Sequence, residues 1–466
     1  MFSHALHNKR PDLKIFEYRD GILKKATNTL LQLTDPQGSF FAINDSQKGM
    51  TYESFELVTA VDLMYSVDDT QEALLEWAAK QGEVAFNESG FFVAQKLNAM
   101  QPSDPIKVSQ VFGDGVNGDK GGISVLRLED TELLFKFSSH GMGHGHFDRL
   151  SYSLYDQSGE VLQDYGAVRW VNVDQKAGGR YLPENKTFGK QTIAHNTAVI
   201  NTSSQFDASV KKAEKEDPEL YYFNAHKANV KIVSAIEKSA YQNVQQHRTM
   251  MLLKDEDFSQ PLIIDLFAID ATENVTIDLP LWFKGHQMKS SFTCEKNLQS
   301  LSPIGDSYGY QHIWKEGACA LDTDHFSFNW FGNNRFYTQY SASQSGDEII
   351  MGRAGANDPN FNLRSDAVMI HRKKSAGTSV YFNVIEAHGT YSTVTEIPLT
   401  PYGQIKEVKV IHADKEYIVC SFSNQENEWE ISFARADNNP NSKHVVAVGN
   451  ATYNWEGIYR INKSKL

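Results

Sequence analysis

The stretch ISVLRLEDTELLFKF, residues 123–137, sets the fold class. In an extended chain Ile123 and Val125 share one face and Leu126 and Leu128 the other, with Arg127 interrupting the first. After the turn Glu129-Asp130-Thr131, residues Leu133, Phe135 and Phe137 alternate cleanly. Two β-prone runs joined by a short acidic turn predict a hairpin. A second follows, with Tyr152, Leu154 and Val161 around the turn Asp156-Gln157-Ser158-Gly159.

Downstream the same texture continues. Strand-like segments recur over residues 229–235, 249–253, 262–268, 275–282, 368–371, 379–386, 406–411, 417–423 and 428–433, and long helical patterns are nearly absent. The expectation is a large antiparallel, sandwich-like β-sheet domain over residues 101–466, with 395–466 as a candidate smaller sheet. Upstream of Pro102–Pro105 the period is helical. Residues 21–33 carry Ile22, Leu23, Ala26, Leu30, Leu31 and Leu33, and Asp35-Pro36 ends the run. Further helices are expected over 54–65, from the cap at Asp68-Asp69-Thr70, and over 91–97. Paired amphipathic helices suggest a bundle or part of a helical barrel. The fold class is therefore α+β multidomain. GDGVNGDKGG, residues 113–122, has no Gly-Lys-Ser/Thr ending and no following helix, so it reads as a loop rather than a phosphate cradle.

At 466 residues the chain exceeds one compact core, which predicts two or three domains. Its formal charge of −13, from 45 basic and 58 acidic residues, argues against nucleic acid as a partner. It leaves open an anionic small substrate, because a few arginines can dominate one cleft. No apolar run approaches the roughly 18 residues of a membrane helix, so no membrane insertion is expected. The opening MFSHALHNKRPDLK lacks the charged-then-apolar plan of a signal peptide, and compartment is not legible. Cys294, Cys319 and Cys420 are widely spaced and odd in number, which favours buried free thiols.

Chemistry concentrates between Ser138 and Asn196, where His140, His144, His146, Asp148, Asp164, Arg169, Tyr181 and His195 fall. If His144 and His146 lie on a strand, their imidazoles share a face. With Asp164 on the return strand and His195 on a later strand, IAHNTAVI, they make a plausible zinc set with one position left for water. Hydrogen-bonded polar residues at a sheet edge would account for the same pattern. Tyr181, in GGRYLPEN, could act as a base if Arg169, Arg180 or an imidazolium stabilised its phenolate. It reads equally as a surface loop tyrosine.

The motifs GHGHFDRLS, QDYGAVRW, GRYLPEN and AHNTAV resemble the heparinase II/III-like superfamily of polysaccharide lyases, and within it the oligoalginate lyases of polysaccharide lyase family 17. The intervals agree: 18 residues from His146 to Asp164, 31 from Asp164 to His195, and 35 from His146 to Tyr181. The resemblance implies a structural zinc held by His146, Asp164 and His195. It also implies an active-site His144, a general acid/base Tyr181, and an Arg169 that grips a substrate carboxylate. The implied reaction is β-elimination on a uronic acid of an alginate oligosaccharide, in a periplasmic or cell-surface setting, with pairing into a homodimer left open.

In the superfamily a longer helical toroid precedes the sheets and supplies an Asn-His pair and a second catalytic Tyr. The first hundred residues here contain no Asn-His pair; His7-Asn8 is in reverse order. Residues 1–100 are therefore expected to be the last helices of an α/α toroid, and the chain a C-terminal piece with weak or no activity alone. Three alternatives remain: a lyase acting on heparin or another glycosaminoglycan, a zinc hydrolase, and a non-catalytic carbohydrate-binding module.

Overall fold

The computed structural model describes residues 2–50, 107–141, 143–168, 182–296, 300–356 and 362–466. The chain divides into two compact units, one of residues 1–41 and 47–108, the other of residues 42–46 and 109–466.

In the first unit a helix spans Tyr18–Gln32, covering most of the expected 21–33 segment. Arg19, Asp20 and Gly21 in its opening turn have left-handed backbone angles. The helices expected over 54–65, after Thr70 and over 91–97 lie outside the described residues.

The second unit is a stack of antiparallel sheets. Its first sheet is a five-stranded meander of Gln110–Gly113, Gly121–Leu128, Thr131–Ser138, Ser151–Asp156 and Gly159–Leu162. The decisive hairpin forms as its alternation predicts, with Leu126 opposite Leu133 and Leu128 opposite Thr131. Arg127, the break in the apolar pattern, sits across from Glu132, and the two buried side chains pair at 3.1 Å. The segment 114–120 is the loop joining the first two strands.

The second sheet has 13 strands among the described residues, built around Leu262–Leu281 and Ala367–Ser392. These run antiparallel along most of their length, with one irregularity between Ala271 and Val275. Each covers two of the expected strands, because the polar stretch Thr272-Glu273-Asn274 bulges out without ending the ladder.

Both faces of this sheet are buried. Ile263, Phe267 and Ile269 pack against Leu126, Leu133, Phe135 and Phe137 of the meander. Ile264, Leu266 and Ala268 pack against Ile418, Cys420, Phe422, Trp429 and Ile431. Double-sided burial explains why Leu262–Ala268 is so nearly continuous in apolar residues. The second group belongs to a four-stranded sheet of Glu407–Ala413, Tyr417–Ser423, Asn427–Ala434 and Tyr459–Lys465. A two-stranded ribbon, Lys443–Val448 with Ala451–Glu456, lies within the same C-terminal stretch.

One cysteine expectation is overturned. Cys294 and Cys319 form a disulfide, their Cα atoms 4.6 Å apart, and only Cys420 remains a buried free thiol. Glu295 pairs with Ala318 across two short strands, which brings Cys294 opposite Cys319. A cross-strand neighbour 25 residues away is invisible to spacing alone. Among the described residues no helix is long and apolar enough to cross a membrane.

Candidate metal centre

The strand Thr131–Ser138 runs into the glycine-rich loop SSHGMGHGHFDRL. Gly141 and Gly143 have φ of +70° and +56°, and a Cβ on Gly145 would lie 1.5 Å from the His140 carbonyl oxygen. The chain doubles back tightly here, so His144 and His146 are not on a strand. This corrects the expectation drawn from their spacing. His146 is fully buried, whereas the His144 side chain is 57% exposed. His140 turns inward and stacks on Phe147 at 4.7 Å. Burial lowers its imidazole to about 4, so it is a neutral core residue near neutral pH.

Asp164 follows the strand Gly159–Leu162. Its Oδ1 accepts the Gly166 N–H at 2.8 Å, and its Oδ2 lies 3.1 Å from His195 Nδ1. His195 closes a short 3₁₀ turn, Thr192–Ala194, rather than lying on a strand as expected; the strand begins only at Val199. Its Nε2 lies 3.0 Å from the Gly189 carbonyl oxygen, which can accept only from an N–H. The proton therefore belongs on Nε2, and the Nδ1 lone pair faces the Asp164 carboxylate. Two acceptors 3.1 Å apart require a cation or a proton between them.

His146 completes the arrangement. Its ring centre is 5.3 Å from that of His195. Its Nε2 lies 3.3 Å from Asp45 Oδ1, while its buried Nδ1 has no hydrogen-bond partner among the described residues. One ligand atom each from His146, Asp164 and His195 gather within 4.8 Å of one another, and all three residues are buried. An outer acceptor holds one nitrogen of each imidazole and leaves the other for coordination, the usual arrangement around a protein-bound metal.

The local charge agrees. Asp45, Asp148 and Asp164 bring three carboxylates, and Lys136 and Lys190 bring two ammonium groups. With both imidazoles neutral one negative charge is left over, which a bound cation or a proton on His195 would offset. Asp148 pairs with Lys136 through Oδ1, and its Oδ2, 3.9 Å from His195 Nδ1, has no hydrogen-bond partner among the described residues. Burial would raise the Asp164 carboxyl, but His195, His146 and the Gly166 N–H hold it below its ordinary value. These three residues fit a metal ion. Arg169 and Tyr181 lie outside the described residues.

Two contributors escaped the sequence reading. The first is Asp45, which no motif in the sequence singles out. The second is Asn196, beside His195. Its side-chain amide donates to the carbonyls of Tyr152 and Gln163, both at 3.0 Å, and its oxygen accepts the Trp282 N–H at 2.8 Å. It thereby clasps the segments that carry Asp164 and His195. An asparagine next to a candidate ligand was the available signal.

Residues 113–395 match the family model described as "Heparinase II/III-like, C-terminal". The chain is 35% identical over 98% of its length to an exo-oligoalginate lyase of Saccharophagus degradans, covering 62% of that protein. It is 34% identical over its whole length to an alginate lyase of Stenotrophomonas maltophilia, covering 63%. It thus spans under two thirds of the length of either relative. Among solved structures, a heparinase III superposes with a TM-score of 0.58 at 13% identity over 88% of this chain and 54% of its own. The heparan sulfate lyase HepC of Pedobacter heparinus gives 0.57 at 11% over 89% and 53%. At such identities these structures speak for the fold alone. The chain belongs to the heparinase II/III-like family, and the unit that carries the His146, Asp164 and His195 cluster is built on that family's C-terminal domain.

Proposed function

We propose that this protein is a polysaccharide lyase that cleaves mannuronate-rich alginate oligosaccharides by β-elimination, working from a chain end. The observation that carries the reading is an exposed His144 beside a buried His146–Asp164–His195 centre. The chain that bears it is about one-third identical, along nearly all its length, to proteins named as alginate lyases.

In this reading Arg169 binds the uronate carboxylate through its planar guanidinium and lowers its negative charge. That makes the C5 proton removable, because the enolate-like intermediate is stabilised by donors held in place beforehand. Tyr181 takes the C5 proton and returns one to O4 as the glycosidic bond breaks. In β-mannuronate, H5 and O4 lie on the same side, so one phenol can serve both steps. Arg169 or Arg180 supplies the positive charge that stabilises the phenolate, and His144 accepts a hydrogen bond from the sugar. A zinc ion bound by His146 Nδ1, an Asp164 oxygen and His195 Nδ1 would supply fixed positive charge that pins the two loops together. Full burial of all three ligands suits a structural metal better than an open catalytic one.

The disulfide between Cys294 and Cys319 supports an oxidising compartment, periplasmic or at the cell surface. A glycosaminoglycan lyase of the heparinase II/III-like family is the second reading. The net charge of −13 weighs against a heavily sulfated substrate. Incubation with oligomannuronate and with heparin oligosaccharides, followed by ultraviolet absorbance, tests both. The 4,5-unsaturated chromophore should develop on oligomannuronate, slowly given the weak activity expected of this chain; development on heparin alone would move the assignment to the second reading.

A further inference from the structure

The pentapeptide Ala42–Ser46, AINDS, belongs to the β-sheet unit although it precedes that unit's main body by more than sixty residues. Its backbone is fixed at Ser46, whose carbonyl accepts the Ala167 N–H at 3.0 Å. Asn44 Oδ1 accepts from Lys136 Nζ at 2.7 Å and from the His146 N–H at 3.3 Å. The next residue, Asp45, enters the centre with a side chain that is 5% exposed.

Each oxygen of Asp45 serves a different imidazole. Oδ1 lies 3.3 Å from His146 Nε2 and accepts from Asn185 Nδ2 at 2.8 Å. Oδ2 lies 3.1 Å from His144 Nδ1 and 3.2 Å from Lys190 Nζ. A carboxylate only accepts, so each facing ring nitrogen carries the proton. The two histidines, two residues apart, are thereby fixed in opposite tautomers. His146 keeps its proton on Nε2 and offers Nδ1 to the centre. His144 keeps its proton on Nδ1 and has Nε2 as its acceptor nitrogen.

We propose that Asp45 is a positioning residue that serves both halves of the site, orienting His146 as a ligand and His144 as a sugar-facing group. The inference rests on the metal-centre and lyase readings above. Asn185 and Lys190 orient the carboxylate in turn, and Lys190 also holds the loop through the Gly143 carbonyl at 2.6 Å. Outer carboxylates of this kind typically change metal affinity by about 10- to 100-fold.

The test uses Asp45→Asn, which keeps the shape, and Asp45→Glu, which keeps the charge, in the protein that shows lyase activity. Metal stoichiometry of the wild type comes first: a protein that binds no zinc would overturn the metal-centre reading itself. With zinc bound, Asp45→Asn should weaken it by about 10- to 100-fold in a chelator competition. Nitrogen chemical shifts should show His144 moving from the Nδ1–H towards the Nε2–H tautomer. On oligomannuronate the variant should lose kcat with KM nearly unchanged, and Asp45→Glu should recover part of both losses. Unchanged zinc affinity together with an unchanged His144 tautomer would overturn the role of Asp45 while leaving the metal centre standing. A variant with normal thermal stability but altered His144 shifts would exclude a merely structural role.

Discussion

Arg248 donates from Nη1 to the carbonyl oxygen of Asn196 at 2.6 Å, directly after the candidate ligand His195. The same nitrogen donates to the Leu150 carbonyl at 2.8 Å. Its other donors form a bidentate pair with Asp265 at 2.9 and 2.8 Å, and the guanidinium lies between the rings of Tyr152 and Phe267. A single buried arginine on the large sheet thus holds the ends of two loops of the centre.

Arg248→Met should therefore destabilise the fold by about 3–5 kcal/mol, since Asp265 would stay buried without its main partner. The double variant Arg248→Met/Asp265→Leu should be less destabilised than the single one. Urea unfolding of the three proteins checks this; equal midpoints for wild type and Arg248→Met would contradict it.

Metal removal should lower thermal stability. A cation bound only to the folded state contributes about 2.7 kcal/mol at a free concentration one hundred times its Kd. Chelation should lower Tm by several degrees in the wild type and leave His146→Ala, already less stable, unmoved. Lyase activity should decline with unfolding after chelation rather than at once, because no chemical step passes through the ion.

Thiol counting tests the disulfide. Unfolded but unreduced protein should show one reactive thiol, that of Cys420, and reduced protein three. Closing a loop of 25 residues contributes about 2–4 kcal/mol, so reduction should shift the unfolding midpoint by a corresponding amount. Three thiols without reductant would return to the free-cysteine reading.

A pH effect is expected from Glu386. Burial raises its carboxyl to about 7, although the Gln404 N–H lies 2.8 and 3.0 Å from its two oxygens and favours the ionised form. The folded-state value exceeds the unfolded one, so the stabilising contribution is complete below about pH 4.5 and is lost as pH rises through 7. At about 1.4 kcal/mol per unit the loss amounts to about 3 kcal/mol. Glu386→Gln, which cannot ionise, should flatten this slope. Urea midpoints at pH 5 and pH 7.5 measure it; parallel losses in both proteins would assign the slope elsewhere.

The sheets were legible where burial imposed a simple pattern. Leu133, Phe135 and Phe137 alternate because one face of the meander meets the large sheet. Between Ile313 and Ala354 the structure forms four strands that the sequence reading passed over. There Gly317, Asn329 and Thr338 break the apolar alternation, and pairing with neighbours sustains the strands instead. The triple His146, Asp164 and His195 came from the family resemblance, since residue type and spacing alone also admitted His144, and its geometry was legible in neither. Glycine-driven reversal at Gly145 is a backbone property that periodicity does not encode. Asp45 was hidden for another reason: it reaches the centre from about a hundred residues upstream, and no local pattern marks that contact.

The central claim is that the glycosidic bond breaks by elimination without added water. Reaction of the protein with oligomannuronate in heavy-oxygen water, read by product mass, tests it most directly. The account predicts that the fragment on the reducing side of the broken bond carries an unsaturated non-reducing end, lighter by one water than a saturated sugar, with no heavy oxygen incorporated during bond cleavage. Saturated products carrying one heavy oxygen per cleavage would contradict it and identify a hydrolase.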